Sequence, residues 1–218
     1  MIETEKTHEA YDRFYADAWY WKYGTLRGRL FEWAKVRFKI IGRYGIKKGS
    51  RTLELACGQG YHVDLMRRFG MDVVGVDISR KGIEFARRQF PHAKYLHIDA
   101  TEELPFARDH FDVIWSHGAG FFHYEVTDSE TEATIRKHLA HLRPGGLYIV
   151  IIATDLSGRK PPGRTEQVWM NTLEDYRSML GRFGMPFTVE WEPDRKWLPL
   201  IGPRLSSGLV YCSLRKTA

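Results

Sequence analysis

The sequence predicts an α/β fold, a doubly wound and mostly parallel sheet of seven strands preceded by an N-terminal helical cap. Three observations carry that expectation. Short apolar runs alternate with amphipathic segments from Arg51 to Ala153. The first run, Thr52-Leu53-Glu54-Leu55, breaks into the glycine-rich stretch Ala56-Cys57-Gly58-Gln59-Gly60 before a helical segment. Acids close the second and third runs, at Asp77 and Asp99. Regular strand–helix alternation builds a parallel sheet covered by helices on both faces. The loops that bind ligands in such folds open at the carboxyl edge of the strands.

Residues 1–48 are expected to form the cap and 49–218 the core, as parts of one domain. The cap begins with a dense run of aromatics between Tyr11 and Tyr23, among them Phe14, Tyr15, Trp19 and Trp21. A helix follows whose apolar spacing predicts Leu30, Trp33, Ala34, Ile40, Ile41 and Tyr44 as its buried side. Gly45 and Lys47-Lys48-Gly49 stop it. Strand one is expected over 51–56 and its helix from Val63 to Phe69. Strand two covers 72–77, after which Ser79 caps a helix carrying Ile83, Ala86 and Phe90 on one face, and Pro91 ends it. Strand three is 94–98 and strand four 111–116. A helix over about 127–142 has Asp128, Glu130 and Glu132 at its start and basic residues near its end, the polarity the helix dipole favours. Pro144-Gly145-Gly146 separates it from strand five, 147–153. A long loop, 154–171, is rich in Gly, Pro and charge. A helix over 173–183 and two strands, near 187–192 and 208–214, complete the chain, the strands joined by a stretch with Trp197, Pro199 and Pro203.

A chain of 218 residues is long enough for one full core. No apolar run is long enough to span a membrane, and the polar N-terminus is unlike a signal peptide. Two cysteines, one inside the glycine loop, argue against a disulfide framework and suit a reducing cytoplasm. The net charge of +6 lies wholly in residues 1–52, which hold 12 Lys/Arg against 6 Asp/Glu. Such a segment can attract phosphates, acidic substrates or membrane surfaces, or be a solvated helix face. His138 and His141 share a helix face but lack a third ligand at suitable spacing, so no metal site is expected.

Gly58 and Gly60 permit close approach of the backbone to a ligand. Asp77 is placed to accept both hydroxyls of a ribose, and Asp99-Ala100 to flank an adenine. The glycines are spaced by two, and Val63 stands where a dinucleotide-binding loop would carry its third glycine. Glu54, just before the loop, would repel a pyrophosphate but could accept from the ammonium of an amino-acid tail.

On these motifs, residues 51–153 resemble the core of the class I S-adenosylmethionine-dependent methyltransferases. Glu54-Leu55-Ala56-Cys57-Gly58-Gln59-Gly60 is similar to the family's first motif, with alanine where glycine is commoner. Val74-Gly75-Val76-Asp77-Ile78-Ser79 resembles its ribose segment, and His97-Ile98-Asp99-Ala100-Thr101 its adenine segment. Phe111-Asp112-Val113-Ile114 and Leu142-Arg143-Pro144-Gly145-Gly146 resemble its later landmarks. The resemblance implies the Rossmann-like methyltransferase fold with a reversed final hairpin, and S-adenosylmethionine as cofactor. It implies that Glu54, Ala56, Cys57, Gly58 and Gly60 hold the methionine part, Asp77 and Ile78 the ribose, and Asp99, Ala100 and Thr101 the adenine. Ser116, His117 and Gly118 would border the sulfonium, while Tyr11 and Arg27, with Arg29, would reach the carboxylate from the cap.

Methyl transfer is an in-line displacement, so the protein supplies alignment and exclusion of water. The expected acceptor is an oxygen, or a nitrogen, of a small or medium-sized molecule enclosed by the cap and the 154–171 loop. Trp169, Trp191 and Trp197 are candidate apolar walls. A hydroxyl acceptor needs a base; His123 stands first, His117 second, and Glu125 and Tyr124 behind them. An alternative is an RNA or protein methyltransferase using the basic N-terminal segment. Against it, strand four ends in Ser116-His117-Gly118-Ala119, not the Asn/Asp-Pro-Pro-Tyr of many base-amino methyltransferases. Further alternatives are an NAD-dependent oxidoreductase and a non-enzymatic relative that binds the cofactor.

Overall fold

Seven strands form one sheet in a computed structural model of the protein: β1 (Arg51–Leu55), β2 (Asp72–Asp77), β3 (Lys94–His97), β4 (Phe111–His117), β5 (Leu142–Asp155), β6 (Phe187–Pro193) and β7 (Ser207–Arg215). Their order is β3-β2-β1-β4-β5-β7-β6. β2 runs parallel to both β1 and β3, whereas β7 runs antiparallel to both β5 and β6. The helices are α1 (Thr4–Tyr15), α2 (Leu26–Ala34), α3 (Tyr61–Arg68), α4 (Arg80–Gln89), α5 (Ser129–His141) and α6 (Leu173–Gly181). The expected fold class is therefore present, reversed hairpin included. The structure describes residues 4–15, 24–123, 126–155, 171–193 and 207–217. The aromatics at 19–23, Tyr124, Glu125, Trp169, Trp197 and nearly all of the 154–171 loop lie outside the described residues.

By internal contact the chain divides into two units, Met1–Leu104 with Phe111–Val113, and Pro105–His110 with Ile114–Ala218. In the first, Leu53, Leu55, Val63, Met66, Val76, Ile83 and Ala86 are buried between sheet and helices. Gly75 of β2 is what lets α3 lie this close. A Cβ there would stand 2.6 Å from Val63 Cγ2 and 2.8 Å from Cys57 Sγ, closer than atoms pack. The Ser79 side chain caps α4 by accepting from the Gly82 N–H at 3.0 Å, as expected.

The helix after Thr25 departs from expectation. α2 continues as a π-helix over Lys35–Gly42, and Ile40 and Ile41 are buried as predicted. Leu30 and Trp33, however, face outward, and Glu32, Lys35 and Val36 are buried in their place. Val36 and Ile40 follow Glu32 at steps of four, so all three share the face that turns inward. The polar pair is buried because it is matched: Lys35 Nζ lies 2.5 Å from Glu32 Oε2.

In the second unit, Trp115, Tyr148, Ile149, Ile151, Tyr211 and Cys212 are buried. β5 begins at Leu142, five residues earlier than the sequence predicts, because Pro144-Gly145-Gly146 is paired instead of looped. Gly145 N–H donates to the Lys216 carbonyl (2.8 Å) and Lys216 N–H to the Gly146 carbonyl (3.0 Å). Gly145 takes φ 75°, a conformation that favours glycine. The Lys216 ammonium then donates to Asp109 Oδ1, Leu139 O and Leu142 O at 2.8, 2.9 and 2.6 Å. A capping box of Thr172 and Asp175 starts α6. His138 and His141 serve packing. The first has Nδ1 2.8 Å from the Tyr148 hydroxyl, the second 3.2 Å from the Ala107 carbonyl. Among the described residues no helix is long and apolar enough to cross a membrane, and no cluster of three or more His, Cys, Asp or Glu could hold a metal ion.

Candidate functional site

β1 delivers Glu54 and Leu55 into a turn that three residues hold in left-handed backbone: Ala56 (φ 55°), Gly58 (φ 52°) and Gly60 (φ 76°). Cys57 N–H still donates to the Val76 carbonyl at 3.0 Å, so the loop begins as an extension of the β1–β2 pairing. Side chains close over both glycines. A Cβ on Gly58 would lie 2.7 Å from the Tyr15 hydroxyl, and one on Gly60 would lie 2.5 Å from the Tyr95 ring. The Tyr95 hydroxyl donates to the Gly60 carbonyl at 3.1 Å. Cys57 is buried, and burial, with Asp77 and Glu54 nearby, pushes its thiol well above the usual range. It is therefore no nucleophile at neutral pH.

Ala56 alone pays for this turn with a Cβ in left-handed space, about 1–2 kcal/mol of strain. Ala56→Gly should relieve it, less the ~0.5–1 kcal/mol by which glycine favours the unfolded chain. A small rise in thermal midpoint is expected by calorimetry, and a fall would show that the alanine methyl is instead held by favourable packing.

Asp77, at the end of β2, is buried and organises the loop. Its Oδ2 accepts from the Gly58 N–H at 2.7 Å and its Oδ1 from the Ser79 N–H at 2.8 Å. Burial raises its pKa to about 6, against the pull of those two amides. Ile78 places its carbonyl 2.8 Å from His97 Nε2. After β3, Asp99 Oδ1 accepts from the Thr101 N–H (2.9 Å) and hydroxyl (2.8 Å), a side-chain turn that leaves Ala100 buried beside it.

Glu54 is 2% exposed. One of its oxygens, Oε1, lies 3.3 Å from His62 Nδ1, and the other, Oε2, is buried without a hydrogen-bond partner. His62 Nε2 in turn lies 2.9 Å from Glu32 Oε2, the oxygen Lys35 also meets. Four buried side chains from β1, α3, α2 and the π-helix thus alternate in sign. Burial disfavours charge on His62, but the bonds to Glu32 and Glu54 outweigh it and raise its pKa; burial raises that of Glu54, against the bond to His62.

From the cap, Tyr15 and Asp12 also meet the core. Asp12 Oδ1 accepts from the Ser79 hydroxyl (2.6 Å) and the Lys81 N–H (3.1 Å). Tyr11 lies one helical turn before Tyr15 and is half-buried, while Arg27 is exposed on α2. The signal for Tyr15 was its i+4 spacing from Tyr11. No local pattern pointed to Glu32 and His62, which lie 30 residues apart.

The remaining expected residues belong to the second unit. Ser116 is fully buried near the end of β4, its hydroxyl without a hydrogen-bond partner. His117 closes the strand half-buried, and Gly118 N–H donates to the Ile151 carbonyl at 2.8 Å. His123 ends a 3₁₀ turn, Gly120–His123, and its side chain lies outside the described residues.

Comparison with known proteins adds four findings. Residues 52–146 match a family described as a methyltransferase domain. An uncharacterised methyltransferase of Synechocystis sp. is 31% identical over 153 residues, 66% of this chain and 69% of that protein. A malonyl-[acyl-carrier protein] O-methyltransferase of Enterobacter lignolyticus is 30% identical over 130 residues, and its match spans 60% of this chain and 48%, about half, of that relative. Among solved structures, a phosphoethanolamine N-methyltransferase 2 of Haemonchus contortus in complex with S-adenosyl-L-methionine superposes with a TM-score of 0.64 at 18% identity, over 83% of this chain and 52% of that one.

Proposed function

The chain belongs to the class I S-adenosylmethionine-dependent methyltransferases, and we propose that it methylates an oxygen, or a nitrogen, of a small or medium-sized acceptor. The observation that carries the cofactor assignment onto these residues is Glu54. A buried carboxylate oxygen with no protein partner, at the mouth of a glycine turn, suits an ammonium and opposes a pyrophosphate. The residues present therefore fit S-adenosylmethionine, and an NAD-dependent oxidoreductase is disfavoured on the same ground.

In this reading Glu54 and the loop of Ala56, Cys57, Gly58 and Gly60 hold the amino-acid end. Asp77 and Ile78 take the ribose, and Asp99, Ala100 and Thr101 the adenine. Tyr11 and Arg27, with residues 1–48 as a cap, approach the cofactor's carboxylate and exclude water. When bound, the cofactor supplies a methyl group on an electron-poor sulfur. Ser116 and His117 are assigned to the reacting end, where the buried, unpartnered Ser116 hydroxyl is free to donate or accept. His123, or His117 in its absence, would take the proton of a hydroxyl acceptor. The O-methyltransferase activity in the Enterobacter relative's name supports oxygen as the acceptor atom.

Two measurements test the proposal together. Calorimetric titration should show binding of S-adenosylmethionine and none of NAD(H). The purified protein, given cofactor labelled in the methyl carbon, should then transfer label to hydroxylated or aminated small molecules. His123→Ala should lower turnover by about 10²–10⁴-fold with cofactor affinity unchanged, the span of general-base catalysis. Label appearing only in RNA or protein would replace the small-molecule reading, and tight NAD(H) binding alone would end it.

A further inference from the structure

The outward face of α2 and its π-helical continuation has the composition of a buried one. Leu26 is 68% exposed, Leu30 58%, Trp33 43% and Phe38 60%. They recur at intervals of four, three and then five, the last step crossing into the wider π-helical turn, so they form one stripe. The Trp33 and Phe38 rings meet edge to face at 6.0 Å, and Phe69 joins Trp33 at 5.8 Å. The opposite face holds the buried Glu32, Val36 and Ile40.

Charge accompanies the stripe. From Leu26 to Ser50 the sequence holds eight Lys/Arg and one acid. The acid, Glu32, is buried on the far side with Lys35 paired to it, which leaves seven cations and no acid for the outer side. Arg37 lies against the Phe38 ring, 5.6 Å from its centroid. Beside the stripe is an open cavity of about 350 Å³, floored by Ile41, Ile46, Phe69 and Met71 and flanked by Arg37 and Lys48. An apolar floor with two cations and no acid at its wall suits an anionic head group attached to an apolar chain.

We propose that this helix face docks the protein onto an anionic phospholipid bilayer, with Leu26, Leu30, Trp33 and Phe38 entering the interfacial layer and the cavity taking a lipid phosphate between Arg37 and Lys48. Nucleic acid would use the cations but give no role to four exposed apolar side chains in register. An interfacial helix needs both, with aromatic and leucine side chains on one stripe and Lys/Arg at its margins. The expected attraction is about fivefold in binding constant for each basic residue near an anionic surface.

The test is flotation of the full chain with vesicles of phosphatidylcholine plus phosphatidylglycerol, and with phosphatidylcholine alone. Flotation with the anionic vesicles, weakened by salt, is expected. Arg37→Gln and Lys48→Gln should each weaken it about fivefold, and Leu30→Glu with Phe38→Glu should abolish it. These residues are exposed, so melting temperature and S-adenosylmethionine affinity should not change. Tryptophan quenching by brominated lipid, lost in Trp33→Phe, would place the stripe in the bilayer. Absence of flotation, or flotation indifferent to Leu30→Glu/Phe38→Glu, overturns the proposal. So does a lipid-free dimer that the same pair of substitutions dissociates, or RNA binding through Arg37 and Lys48 without vesicle binding. None of these readouts depends on methyl transfer, so the proposal can fail while the enzymatic reading stands.

Discussion

His62→Leu should destabilise the protein by about 3–5 kcal/mol, the range measured when one member of a buried ion pair is removed. His62 stands between Glu32 and Glu54, 2.9 Å from one and 3.3 Å from the other, and all three are almost wholly buried. Without the imidazolium, two carboxylates face each other in low dielectric with only Lys35 to compensate. They must then protonate or draw in water. The loss should be largest below pH 6.5, where His62 is charged in the native protein, and should shrink as pH rises through its folded value. The native chain should show a related slope. His62 has its folded pKa raised above 6.5, so its contribution is complete below that pH and fades as pH rises through the folded value. Chemical denaturation of both proteins across this range measures both effects. A pH-independent difference under 1 kcal/mol would mean that the cluster is hydrated and contributes little. Replacing all four members, Glu32, Lys35, Glu54 and His62, together by apolar residues should cost less than His62→Leu alone, because no charge is then left unmatched.

Asp77→Ala should weaken S-adenosylmethionine binding by about 10²–10⁴-fold. Two hydrogen bonds to a charged acceptor are worth roughly 1.5–3 kcal/mol each, and the ribose offers two hydroxyls. The same substitution also releases the Gly58 and Ser79 amides that the carboxylate now holds, so the turn itself loosens. Asp77→Asn separates the two contributions. It retains an acceptor oxygen for one amide but presents NH₂ to the other. The carboxyl titrates near pH 6, and only its ionised form accepts from both hydroxyls. Affinity should accordingly fall as pH is lowered from 7.5 to 5, and this dependence should vanish in Asp77→Asn. In the free protein the linkage runs the other way. The folded chain binds the proton more tightly than the unfolded one, so this group's contribution to stability declines as pH rises from about 4 to 6. Titration calorimetry at several pH values checks the binding half. Unchanged affinity in Asp77→Ala would remove the ribose from this position.

How legible all this was in sequence depended on how local the cause was. Strands at 72–77 and 111–117, the Ser79 cap and the α5 polarity follow from residues a few positions apart, and they stand where the pattern predicts. The glycine turn was legible too, though that Ala56 shares its left-handed backbone was not, since alanine gives no sign of it. The helix after Thr25 was misread because apolar spacing says which side chains share a face, not which face turns inward. Glu32 decided that through His62, 30 residues away. Likewise Pro144-Gly145-Gly146 reads as a terminator until Lys216 supplies its hydrogen bonds.

The position of β7 has a consequence for the order of events during synthesis. It is made after both strands it joins, yet it sits between them, antiparallel to β5 through nine residue pairs and to β6 through seven. Until Ser207–Arg215 leaves the ribosome, β5 and β6 each present an unpaired backbone edge with apolar residues beside it. Those edges invite pairing with other chains. A stalled or prematurely released chain would thus hold a complete glycine turn and an incomplete sheet. Its hazard in the cell would be aggregation, and not only lost activity.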